Sequence, residues 1–392
     1  DGFEITDADI WGLNTEYDLT ELLNLDSSFL NVGISYVGRN DKLDFENPEY
    51  NELTNAFSGR IDYSGNSFYA GAEYVTKEKD GVVQFGQVSN LMVKSGSALL
   101  FNTGFSKKGL GIDLTFRRLE NMSFFSSREN SRNDYNENLV NYVPALTKQH
   151  DYLLTNIYVY QAQQHVSFQD PTLMKAGEIG GQVDVFYKIK KDTPLGGKYG
   201  AKIAVNGSYY ANLKGDYNFN DFDYKTDFLG FGEKYYSDIS FELRKKWSKN
   251  WSSIFYYVNQ YYNNRYVDET FGTVKTNIGV FESTYKMGKG RSLRFEAQQL
   301  WSEDDKKDWL GGTIEFNLSS RLSFYVNDIY NYGNENEDSK IHYYNLGGSF
   351  SKGATRIALN YGRQRGGLVC VGGVCRFVAE STGLTMNLSM SF

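Results

Sequence analysis

Gly383-Leu-Thr-Met-Asn-Leu-Ser-Met-Ser-Phe392 ends the sequence with a period of two that runs to the last residue. Leu384, Met386, Leu388, Met390 and Phe392 fall on one face, and Gly383, Thr385, Asn387, Ser389 and Ser391 on the other. A wholly apolar face opposite a small, polar one is the pattern of a strand set between hydrocarbon and a wet lumen. The competing reading is an edge strand of a soluble sandwich, and the rest of the composition bears on that choice.

The chain has 392 residues with 31 Tyr, 27 Phe, 39 Gly and only 4 Pro, and its mean hydropathy is -0.51. No run of ~18 apolar residues occurs, which excludes a transmembrane helix. Low hydropathy does not exclude a membrane barrel, because lipid-facing and lumen-facing residues alternate and average out. The tyrosine load suits membrane interfaces, where a ring with a polar tip sits at headgroup level. The net charge of -7 arises from 48 acidic and 41 basic residues without a basic block, which argues against nucleic acid as a partner.

Tight polar turns recur between alternating runs: Asp26-Ser-Ser28, Gly65-Asn66, Ser106-Lys-Lys-Gly109, Lys191 to Gly197, Ser248-Lys-Asn250, Gly288-Lys-Gly290, Ser319-Ser320 and Lys352-Gly353. Each joins two runs of about ten residues, the length a tilted strand needs to cross a bilayer. Between the hairpins lie longer polar segments at 38–56, 77–95, 120–176, 213–234, 264–273, 303–308 and 333–340. Short turns at one end and long loops at the other predict an all-β, antiparallel up-and-down transmembrane barrel.

The alternation assigns faces. Ile239, Phe241, Leu243 and Trp247 share one face, Ser240, Glu242, Arg244 and Lys246 the other. A cation near mid-membrane on the lipid side costs ~2 to 4 kcal/mol, so the second set points inward. The same split places Asp113 and Arg117, Asp184 and Lys188, Arg294 and Glu296, and Glu315 on the lumen side. Charges of both signs therefore line the expected wall, where they pair or stay hydrated. Two runs fit poorly: Asp328 falls on the face set by Leu322, Phe324 and Val326, and the pattern of 274–286 switches between Val280 and Phe281. Both predict a bulge or an early exit from the membrane.

Eight hairpins and the final strand make 17 strands, whereas single-chain bacterial barrels have even numbers. At least one further strand is therefore expected. Residues 3–12 are a poor candidate because carboxylates crowd both faces, so the expectation is about 18 strands with the missing part upstream of Asp1. Such a barrel is wide enough for an aqueous channel unless something fills it. The candidate filler is 120–176, which opens polar and contains the apolar run Tyr152-Leu-Leu-Thr-Asn-Ile-Tyr-Val-Tyr160. Making that run a wall strand would switch the sides of every later turn. Two placements remain open for the segment, the mouth or lumen of the barrel and an external hairpin packed on neighbouring loops.

The stretch Asn141-Tyr-Val-Pro-Ala-Leu-Thr-Lys-Gln-His150, the Tyr158-Val-Tyr160 run and Leu195-Gly-Gly-Lys-Tyr-Gly200 resemble segments of an uncharacterised outer-membrane barrel family of Bacteroidota. The terminal Phe392 strand resembles the assembly signal of Gram-negative outer-membrane barrels in general. The resemblance implies fold and an outer-membrane location, with contacts to lipid, lipopolysaccharide and the barrel assembly machinery during biogenesis. It carries over no catalytic or ligand-binding residue.

Cys370 and Cys375 flank Val-Gly-Gly-Val, a spacing suited to a disulfide across a hairpin loop outside the cytoplasm. A metal site is the rival, but no His or further Cys lies near. Enzyme signatures are absent: the three histidines, His150, His165 and His342, lack a nucleophile motif around them, and no phosphate loop occurs. Glu303-Asp304-Asp305 with Asp308 is a conceivable Ca²⁺ group, yet Lys306 and Lys307 between them favour a solvated loop. No cofactor or metal is expected, and no enzymatic activity. Two function classes remain. One is porin-like passage of small solutes, favoured by an open lumen with a charged constriction. The other is a non-conducting barrel serving as a subunit of an outer-membrane assembly or secretion complex, favoured by a plugged lumen and an apolar patch on the loops.

Overall fold

The computed structural model describes residues 8–41, 51–84, 87–125, 152–270, 272–371 and 374–391. Alternation becomes pairing at once: β1 (Asp9–Asp18), β2 (Phe29–Asn40), β3 (Leu53–Ser64), β4 (Phe68–Gln84), β5 (Gln87–Lys107) and β6 (Leu110–Glu120) run as successive antiparallel neighbours. The short strands β7 (Ser167–Asp170) and β8 (Leu173–Lys175) form a hairpin of their own, and β6 pairs past them with β9 (Gly177–Ile189). The meander resumes through β10 (Ala201–Asn218), β11 (Asp223–Lys246), β12 (Trp251–Tyr262), β13 (Val274–Gly288), β14 (Arg291–Trp301) and β15 (Trp309–Asn317). It ends with β16 (Leu322–Tyr330), β17 (His342–Lys352), β18 (Thr355–Gln364) and β21 (Ser381–Met390), with the hairpin β19 (Gly367–Val371) and β20 (Val374–Val378) set aside from the wall. A single helical turn, α1 (Asn264–Val267), follows β12.

Seventeen strands thus form one up-and-down antiparallel sheet, the wall of a transmembrane β-barrel. Its first strand begins at Asp9, inside the carboxylate-rich stretch 3–12 that reads poorly as a strand; residues 1–7 lie outside the described ones.

The outer face is apolar and exposed strand after strand: Ile112 and Leu114 on β6, Ile239 and Phe241 on β11, Leu293 and Phe295 on β14, Leu310 and Ile314 on β15. Exposed apolar residues in a continuous band around a wall are costly in water and favourable against hydrocarbon, so the band belongs in a bilayer. Leu384, Met386, Leu388 and Met390 of β21 continue it. Phe392 lies outside the described residues.

Three expectations from the sequence are corrected. Segments 77–95 and 213–234 are not loops: β4–β5 and β10–β11 run on as paired hairpins beyond their neighbours, with register shifts at Lys77/Asp80, Gly81/Val83 and between Tyr210 and Gly215. Residues 274–286 carry no bulge; β13 keeps register with β12 and β14 through Val280 and Phe281, and the shift falls only at Lys286/Gly288. The apparent switch arises because the inward residues Val274, Ile278 and Val280 are apolar, being packed against protein rather than water. β16 is also unbroken, and Asp328 stays on the outer face two residues from the strand end, where its Oδ2 lies 2.6 Å from His342 Nδ1. His342 in turn stacks on Tyr330 with ring centroids 4.0 Å apart.

Candidate functional site

What packs against those inward residues is the segment that leaves β6 and returns at β9. Its entry and exit touch: Glu120 is the register partner of Gly177, and Asn121 N donates to Ala176 O at 2.9 Å. Between them the described parts, 122–125 and 152–175, pack against the wall. The Tyr152–Tyr160 run is not a strand; Leu154–Asn156 is one 3₁₀ turn and the rest is irregular. Backbone groups of irregular chain need partners when buried, and the wall supplies them. Gln298 of β14 accepts from Leu154 N at 2.8 Å, Arg365 beyond β18 donates to Asn156 O at 2.6 Å, and Arg39 of β2 donates to Phe125 O at 2.8 Å. Lys77 of β4 donates to Ser123 O at 2.9 Å. Partners on β2, β4, β14 and past β18 make the described parts of the segment, 121–125 and 152–176, an internal plug against the wall.

The apolar part of this plug continues the core. Tyr152, Leu154, Ile157, Tyr158 and Tyr160 form one cluster with Tyr210, Tyr236, Tyr256, Tyr262, Val274, Ile278, Leu300 and Trp309 from six wall strands. Tyr160 is sandwiched between Tyr210 and Tyr236, with centroids 5.2 and 4.9 Å away and the rings nearly parallel. A second cluster joins Val166 and Phe168 to Leu213 and Tyr224 of the long β10–β11 hairpin and to Val82 and Met92 of β4–β5. That hairpin also carries the exposed Phe228, Leu229 and Phe231.

Polar locks sit inside this apolar frame. Arg117 of β6 and Glu178 of β9 form an ion pair with both side chains fully buried, and the Tyr160 hydroxyl donates to the same carboxylate. Gln163 N also donates to Glu178, at 2.8 Å. Arg117 lies over the Tyr210 ring, 4.5 Å from its centroid. Below that, fully buried Lys175 donates to Gln163 Oε1 at 2.9 Å and Tyr266 O at 2.7 Å, and lies 3.2 Å from Glu269. Nearer the start of the sheet, Arg39 of β2 pairs with Asp80 of β4 at 2.8 Å while lying over Phe124. Burial raises the Glu269 carboxyl, but the hydrogen bond from His165 and the Lys175 charge outweigh it and hold the group at about 2. Asp170 is likewise held at about 2 by the Thr172 hydroxyl and by Arg265 of α1.

The charged residues expected along the lumen take the following places. Arg117 is in the plug lock. Asp113 accepts from Tyr69 OH at 2.7 Å and is the register partner of Asp184, which Asn206 Nδ2 approaches at 3.5 Å. Glu242 and Arg244 pair with each other at 2.6 Å. Arg294 gathers Glu282 at 2.9 Å, Glu296 in close contact and Glu315 at 3.9 Å. Lys188 stands apart, in a basic cavity at the turn end. Cys370 and Cys375 are register partners in the β19–β20 hairpin; their side chains lie outside the described residues.

The acidic loop residues serve the fold: Asp304 Oδ2 accepts from Lys275 N, Asp305 Oδ2 from Tyr158 OH and Asp308 Oδ1 from Ser302 N. Among the described residues no group of three metal-ligating side chains occurs. His150 lies outside the described residues.

Glu178, Lys175, Arg39 and Asp80 were not singled out from sequence, and Tyr160 was noted only as part of the apolar run. Arg39 and Asp80 fall in stretches that read as loops, and the partner of Glu178 is 61 residues away, so only register reveals it.

A family model covers residues 1–392 from end to end. The chain belongs to the DUF6029 family, a family of unknown function. No curated protein matches it. Among solved structures, a mutant of the Rh. blastica porin aligns over 91% of this chain and 94% of the porin, with 10% identity and a TM-score of 0.32. The DUF6029 match agrees with the expectation of a family without an assigned function.

Proposed function

We propose that this DUF6029 chain is an outer-membrane β-barrel of a Gram-negative cell that is plugged at rest and serves as an accessory, surface-exposed subunit of an outer-membrane assembly. The observation that carries the reading is the plug: its rings are buried among inward residues of strands β10 to β16, with the fully buried Arg117–Glu178 pair at its root. Buried ion pairs and hydrogen bonds of this kind tie the plug to the wall strands that supply them. The exposed Phe228, Leu229 and Phe231 on the projecting hairpin supply an apolar docking surface for a partner subunit. The outer apolar band faces lipid and lipopolysaccharide, and the β21 face ending at Phe392 is the part the assembly machinery would read. Opposed register of Cys370 and Cys375 supports a disulfide that staples the β19–β20 hairpin.

A second reading, gated passage of small polar solutes, is favoured by the half-exposed charges Arg294 and Glu315 on the inner wall. Planar-bilayer conductance decides between them. Because Asn121 and Ala176 are already hydrogen-bonded, residues 122–175 can be replaced by a two-residue turn without opening the β6–β9 ladder. The intact protein should be silent and the deletion should conduct in large steps. Large steady currents from the intact protein would overturn the accessory reading.

A further inference from the structure

At the turn end of the barrel, away from the plug, β9, β10 and β11 set cations side by side on the inner wall. Lys202 is the direct register partner of both Lys188 and Arg244, so three cations stand in a row across three strands. Lys190 and Lys246 continue the row one pleat nearer the turns. Like charges directly opposite on one face are destabilising, and a wall has no structural need of them. They surround a cavity of about 840 Å³ whose lining also includes Lys108 and contains no Asp or Glu. That volume lies in the range of small-molecule sites, ~300 to 1,000 Å³.

Of the row only Arg244 meets a carboxylate among the described residues. Glu242 is engaged by Arg244 through Nε at 2.6 Å and Nη2 at 3.0 Å. Asp184 shares the inner face with Lys188 but lies four residues along β9, about 13 Å at strand rise. Among the described residues Lys188, Lys190, Lys202 and Lys246 have no acidic partner. Rings steer two of the amines instead: Lys202 Nζ lies 4.5 Å from the Phe186 centroid and Lys246 Nζ 5.6 Å from that of Tyr199.

We propose that this cavity binds a soluble anion carrying several phosphate groups. Four ammonium groups, those of Lys188, Lys190, Lys202 and Lys246, converging on one concave surface match a compact multivalent anion better than a single carboxylate, and phosphate oxygens accept from such point charges. Lipid headgroups are the other source of phosphate. The register places these cations on the face opposite Val185 and Leu243, which look outward, so a headgroup in the surrounding leaflet does not reach them. The site is independent of the plug and does not rest on the accessory reading.

The test uses the intact protein in phosphatidylcholine nanodiscs at low salt, with inorganic tripolyphosphate as probe and calorimetry as readout. Saturable binding that weakens with ionic strength is expected. The double variant Lys188→Gln/Lys202→Gln should lower affinity at least ~tenfold by removing two charge-assisted contacts. Lys289→Gln/Lys352→Gln, which removes equal charge from other turns at the same end, should leave it unchanged. Without any variant, tripolyphosphate should protect Lys188 and Lys202 from amine acylation in the native protein. Equal weakening in both double variants, absence of protection, or binding that appears only when anionic phospholipid is added to the nanodisc would each overturn the proposal.

Discussion

Replacing Glu178 by Ala should release the plug without dissolving the wall. The substitution takes from buried Arg117 the carboxylate it pairs with, and it removes the acceptor used by Tyr160 OH and Gln163 N. Breaking a fully buried ion pair from one side costs ~3 to 5 kcal/mol. The loss falls on the plug, because Glu178 joins the plug to β6 and β9, while the β6–β9 ladder keeps its backbone register from Leu110 to Glu120. At 1.4 kcal/mol per tenfold, the local opening equilibrium of the plug should rise by roughly a hundred- to several-thousand-fold. Hydrogen exchange with peptide-level mass spectrometry reads this directly, since amides of 152–165 exchange through local opening. The expected result is a large gain in exchange over 152–165 with little change over β10 to β12. The double variant Arg117→Met/Glu178→Met removes both charges together and should recover much of the protection, because the buried cation leaves along with its carboxylate. Exchange in Glu178→Ala that rises no more in the plug than in the wall, or a double variant no better than the single one, would refute the reasoning.

Three further outcomes are expected. Gly177→Ala should lower the yield of folded barrel, since φ is +149° there and a Cβ would meet the Leu119 carbonyl, a strain of ~1 to 3 kcal/mol; heat-modifiable migration on gels measures it. Acid should loosen the β7–β8 hairpin from α1: Asp170 and Glu269 are held at about 2 against ordinary values of 3.8 and 4.5. Their stabilisation is therefore complete above about pH 4.5 and fades as the pH falls toward 2, which hydrogen exchange of 166–175, corrected for intrinsic rates, should show. Unchanged protection at pH 2.5 would count against it. Phe392→Ala should reduce membrane-inserted protein by weakening the terminal strand as an assembly signal, and unchanged levels of heat-modifiable barrel would contradict that role.

Strand polarity was legible in the sequence because a membrane wall enforces period two. Ile239, Phe241 and Leu243 have only lipid to face, so their alternation with Ser240, Glu242 and Arg244 needed no tertiary information. The eight turns were legible for a related reason: hairpin ends require Gly, Asn, Asp or Ser, and together with the final strand they give the seventeen that pair in the structure. The rule failed where its premise failed. Val274, Ile278 and Val280 look inward yet are apolar, because protein rather than water fills the lumen beside them. The long hairpins were misread as loops because, beyond the bilayer, nothing compels one face to be apolar.

The sequence by itself therefore determined that the chain forms an antiparallel membrane wall, where its turns fall and which way most side chains point, since these depend on near neighbours and on the two solvents flanking a strand. Only the tertiary structure decided that residues 152–175 fill the barrel, that Arg117 meets Glu178, and that Lys188, Lys202 and Arg244 stand in one row. Those contacts join residues far apart in the chain, and inter-strand register, which no local pattern encodes, sets which of them meet.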